Sequence, residues 1–196
     1  MRKKLTFGLP ILLFVGMLFA PTSFAADKFE VTASETFDPL GLVLGEGNEV
    51  GEFLALPTVK CPGHEPTGDP MQPCSVGSRT HFRNTVIISR VDSTDTRMTG
   101  WMTVELNGNF DADFAGPLWG TFSIAVDSGG TWEGTWQGLR VAEAINYWTG
   151  TLHVIGQGFG GTVDGMKLMA EDQLVSFTPM PIAYFGSIQG RVVDPN

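Results

Sequence analysis

Thr131-Trp132-Glu133-Gly134-Thr135-Trp136-Gln137-Gly138 places Trp or Gly at every even position and a polar residue at every odd one. A period of two is the mark of a β-strand with unlike faces, so Trp132, Gly134, Trp136 and Gly138 share one side. Glycine weakens a strand interior and usually marks a bend or the close approach of a backbone or ligand. Alternation of large and small residues suits the tapering interior of a small closed barrel.

The same period extends outward in both directions. Upstream, Asp127-Ser128-Gly129-Gly130 supplies a turn. Before it, Leu118, Phe122, Ile124 and Val126 alternate with Trp119, Thr121, Ser123 and Ala125. Met98, Met102, Val104 and Leu106 form an earlier apolar row, Phe82–Val91 is a β-rich run, and Phe29, Val31, Ala33 and Phe37 form the first row. Downstream, Trp148, Gly150, Leu152 and Val154 alternate with Thr149, Thr151, His153 and Ile155, and runs at 163–170 and 184–193 follow. Leu139-Arg140-Val141-Ala142-Glu143-Ala144 is locally helix-friendly and predicts a short helix over 138–144. Residues 38–81 are proline-rich and irregular, with weak strands expected at Leu40–Val43 and Phe53–Leu56. Short strands with brief turns predict an all-β fold: an antiparallel up-and-down β-barrel of about eight strands, preferred to an open sandwich because closure removes sheet edges.

The chain opens on Met1-Arg2-Lys3-Lys4, an apolar run from Leu5 to Ala20, and Ser23-Phe24-Ala25. This pattern reads as a signal peptide over 1–25, leaving 26–196 as a single barrel domain that is secreted or periplasmic, with no membrane span in the mature chain. The formal charge is −9, and it becomes more negative once Arg2, Lys3 and Lys4 are removed. A surface of that sign repels phosphate backbones, which argues against nucleic acid as a partner. Cys61 and Cys74 are the only cysteines, and an even number in an exported chain predicts a disulfide closing an irregular loop. Adding His64 and His81 would make a Cys2His2 zinc set, but the spacing matches no common finger, so no metal is expected there.

The Gly-marked hairpin, the glycine-rich turn Gly156-Gln157-Gly158-Phe159-Gly160-Gly161, then Gly165 and a final strand together resemble the allene oxide cyclase and dirigent group of calycin-like barrels, over residues 110–193. The resemblance implies an eight-stranded barrel with a cavity, assembly as a dimer or trimer, and, in some members, steering of reactive hydrophobic intermediates toward cyclisation or coupling. No catalytic residue of that group maps onto this chain, and the Cys61–Cys74 insertion departs from its enzymes.

Hydrolase elbows, zinc-protease helices and P-loops are missing from the sequence. Glu133, His153 and Arg191 are candidate acid–base groups if their rows face the interior. Asn107, Asn109, Asp111 and Asp113 offer alternating oxygens that could gather calcium, although the EF-hand pattern fails and such residues are ordinary turn formers. The stronger lead is aromatic: Phe122, Trp132, Trp136 and Trp148 would line a pocket for a small hydrophobic molecule, with neighbouring glycines leaving it open. No cofactor is expected. The alternatives are a cyclase or isomerase resembling allene oxide cyclase, and a non-catalytic cell-surface interaction module.

Overall fold

The computed structural model describes residues 26–39, 51–68, 74–177 and 183–195. The segment 1–25 and the strand expected at Leu40–Val43 lie outside the described residues. Among the described residues there are ten strands: β1 (Asp27–Phe37), β2 (Glu52–Ala55), β3 (Thr58–Lys60), β4 (Thr80–Ser93), β5 (Gly100–Phe110), β6 (Gly116–Val126), β7 (Thr131–Ala144), β8 (Tyr147–Phe159), β9 (Lys167–Ser176) and β10 (Tyr184–Asp194).

From β4 to β10 each strand pairs antiparallel with the next, as short turns dictate. β10 then pairs with β1 along its whole length, and β1 returns to β4 through Ala33–Thr36 against Arg90–Ser93. The result is a ring of eight strands. The remainder of that β4 edge is covered by β2, which is the strand expected near Phe53–Leu56, and by β3. Pairing therefore continues along an edge that would otherwise invite aggregation.

The helix expected over 138–144 is absent: these residues extend β7. Leu139 pairs with Thr151, Val141 with Thr149, and Arg140 with Gly116. The alternation of the Trp/Gly strand runs straight through, with Arg140 buried and Leu139 and Val141 exposed. Helix propensity over six residues is worth a few tenths of a kcal/mol per position, and ladder pairing with β8 overrides it. Likewise Gly156 and Gly158 belong to β8, so the turn is shorter than the glycine-rich run suggested.

One end of the ring is closed by its own turns. Gly161 has φ of +53°, and a Cβ there would stand 2.4 Å from the Gly129 carbonyl carbon. Only glycine lets these turns meet, and the Thr162 amide then donates to Gly129 O at 3.1 Å. Beneath them Trp132 is 0% exposed, and its Nε1–H donates to Arg97 O at 2.7 Å. The opposite end carries Arg140, Trp148 and the irregular segment. There Cys61 and Cys74 form the expected disulfide, their Cα atoms 5.5 Å apart. With both cysteines in that bridge, neither offers a thiolate to complete a Cys2His2 set with His64 and His81.

Candidate functional site

The inward rows leave a cavity of about 70 Å³ inside the ring, its walls almost wholly apolar. Phe122 of β6, Trp136 of β7 and Trp148 of β8 line it, as expected from their row positions. Trp132 does not. Its place on β7 is one full turn-end away, where it fills the closed end.

Gly150, beside Trp148, lines the cavity and leaves room there, since an added Cβ would meet nothing closer than 3.5 Å, but Gly134, Gly156 and Gly120 do not create the space. A Cβ on Gly134 would stand 2.5 Å from Phe122 Cε1, and one on Gly156 would stand 2.9 Å from Phe122 Cζ. Gly120 similarly receives the edge of Trp136, at 3.0 Å. The missing side chains are filled by neighbouring rings, so the alternation of large and small is a packing device. The open volume lies further along, toward Trp148 and Arg140.

Glu133, His153 and Arg191 all face outward and are exposed. His153 Nδ1 lies 3.9 Å from Glu171 on the outer surface. The acid–base reading of these three inside the barrel is therefore corrected: odd positions of β7 and β8, and Arg191 on β10, belong to the solvent row. The calcium candidates are likewise dispersed into structural roles. Asn107 Oδ1 accepts from the Asn84 amide at 3.1 Å, and Asn109 Oδ1 accepts from Arg83 Nη2 at 2.8 Å. Asp111 Oδ1 caps the amides of Asp113 and Ala115 at 2.9 and 3.0 Å. These bonds stitch a β4 bulge and a tight turn.

Among the described residues, three charged side chains of the strands do face inward, and each lies in an apolar row. Glu35 shares the β1 row with Val31 and Phe37, Asp172 the β9 row with Leu168 and Leu174, and Arg140 the β7 row with Trp136. All three line the cavity. The signal was present in the sequence as parity: each sits an even number of residues from its apolar neighbours.

Glu35 and Asp172 meet across β10, because the residue between them is Gly186. A Cβ there would stand 2.4 Å from Glu35 Cγ and 2.8 Å from Asp172 Oδ1. The two carboxyls share a hydrogen bond, and the Tyr184 hydroxyl also bonds to Glu35. Burial is the main cause that pushes the Glu35 carboxyl well above the usual carboxylate range; the Asp172 charge adds to it. Burial pushes Asp172 up to about 6, opposed by its bonds from Glu35 and the Ser187 amide. Two carboxyls this close titrate as a coupled pair, and burial favours retention of a proton between them. Asp172 Oδ1 has no hydrogen-bond partner among the described residues.

Arg140 stands where the cavity meets the far end. Its guanidinium lies 4.6 Å from the Trp148 ring centroid and 5.5 Å from that of Phe110, and Nη2–H donates to Ser176 Oγ at 3.4 Å. Burial draws its pKa down to about 9, so it stays charged at neutral pH. Trp148 is pinned in turn by an Nε1–H bond to Asp113 O at 2.7 Å. The arrangement is an apolar chamber with an acidic pair on one wall and a cation at its end. No His/Cys/Asp/Glu group able to hold a metal is found among the described residues, and none of their helices is long and apolar enough to cross a membrane. Comparison with family models, curated proteins and solved structures finds no match to this chain.

Proposed function

We propose that the protein binds a small hydrophobic molecule inside the barrel. The observation that carries this reading is the apolar cavity bounded by Phe122, Trp136 and Trp148, kept open while the rest of the interior is filled by interlocking rings. A chamber of about 70 Å³ admits a molecule of few heavy atoms, smaller than the drug-sized ligands of larger sites. Titration with short-chain apolar compounds should quench the fluorescence of Trp136 and Trp148 and raise the melting temperature. Absence of both responses across the series would remove the reading.

The acidic pair supports a second reading. In the cyclase or isomerase alternative, Glu35 and Asp172 pass a proton to or from a reactive guest held against them, in the part first considered for Glu133, His153 and Arg191.

We further infer export to a secreted or periplasmic location. The basic start, apolar run and small residues before Ala26 support it, and the Cys61–Cys74 disulfide is compatible with an oxidising compartment. Intact-mass analysis of the exported protein should show a chain beginning near Ala26 with no thiol that alkylates before reduction. A retained leader or two free thiols would contradict the assignment.

A further inference from the structure

We propose that the guest molecule carries a hydrogen-bond donor, a hydroxyl or an ammonium, which it presents to Asp172 from an apolar body lying against Phe122 and Trp136. This deepens the binding reading above and rests on it. Asp172 is 3% exposed and lines the chamber, yet its Oδ1 accepts no hydrogen bond among the described residues. A buried carboxylate oxygen without a partner is strongly disfavoured, and interiors normally satisfy such atoms. The neighbours do not relieve it. Glu35 from β1 bonds the Asp172 carboxyl, Tyr184 from β10 bonds Glu35, and the Ser187 amide supplies Asp172 with a backbone bond. Oδ1 is still left without a donor among the described residues. Gly186 supplies none either, having no side chain, although a Cβ there would stand 2.8 Å from Oδ1.

Donors are selected over acceptors for an electrostatic reason. Asp172 Oδ1 is a buried acceptor with no donor among the described residues, and an ether or carbonyl oxygen set against it would be repelled. The other charged group lining the chamber is Arg140, at its far end. An elongated guest with one donor head therefore lies with that head at Asp172 and its apolar tail along the aromatic wall.

Three compounds small enough for the chamber separate the possibilities: n-propanol, its isomer ethyl methyl ether, and n-propylamine. Binding is followed by tryptophan quenching and by calorimetry. The expected result is propanol or propylamine binding about tenfold or more tighter than the ether, the size of a hydrogen bond to a charged group. A lead for propylamine that fades as pH falls below about 6, where Asp172 takes up a proton, identifies an ammonium head. A lead for propanol over both identifies a hydroxyl. Asp172→Leu, which keeps the branching and the number of heavy atoms and removes the acceptor, should abolish the preference while retaining ether binding. If that variant does not fold, the wild-type series decides alone. Ether binding equal to or tighter than both donors would overturn the donor proposal and leave the cavity reading intact. Failure of all three to bind would overturn both.

Discussion

Gly186 and Asp172 show how much rests on single side chains here. Leaving a Cβ off position 186 admits two carboxyls to one site in an apolar interior, and burial then raises both. A carboxyl whose folded pKa exceeds its free value binds its proton more tightly when folded. Its contribution to stability is present in full below the free value and lost as pH rises through the folded one. For Asp172 those limits are 3.8 and about 6. Urea unfolding midpoints should therefore fall as pH climbs across that window, opposite to a surface carboxylate paired with a cation. Asp172→Asn should flatten the decline. Asp95 runs the other way: its bonds from Arg97 lower its pKa, so its contribution is lost as pH falls, below the Asp172 window.

Strand by strand, the interior is built by interlocking rows instead of by large side chains alone. Phe122 of β6 reaches over Gly134 of β7 and Gly156 of β8, two strands away. At Gly156 the closest atom to an added Cβ is Phe122 Cζ at 2.9 Å, with the next neighbours at 3.4 and 3.5 Å. Gly156→Ala should thus destabilise by about 1–3 kcal/mol through overpacking. In a Phe122→Leu background the cost should shrink, giving a coupling of about 1 kcal/mol in a double-mutant cycle of urea unfolding. Additive effects would show that the two positions do not touch. The same rows explain why the last residues of β7 are strand: once Trp132 and Trp136 face inward, Arg140 is next in the row, and β8 offers a ladder to Ala144.

The ring closes through β1 and β4, and the disulfide lies beyond it, between the short β3 and the segment that leads into β4. A bridge enclosing a loop of this length contributes about 3 kcal/mol in the chain-entropy model. Replacing Cys61 and Cys74 by Ser should speed amide exchange in β3 and the loop, while β5–β9 keep their protection. Equal loss of protection around the ring would show that the loop braces the barrel after all. The all-β class, the antiparallel order and the pairing of Cys61 with Cys74 were legible in the chain itself, because period-two patterning, short turns and an even cysteine count are local or compositional signals. Three of the four aromatic pocket residues were legible for the same reason, since parity assigns a face. Depth along the barrel was not: Trp132 and Trp136 share a row, and only the stagger of the strands sets one at the closed end and the other on the cavity wall. Nor was the acidic pair, because Glu35 and Asp172 lie on strands far apart in the chain. What brings them together is ring closure, which sets β10 between β1 and β9 and puts Gly186, which has no side chain, between two carboxyls.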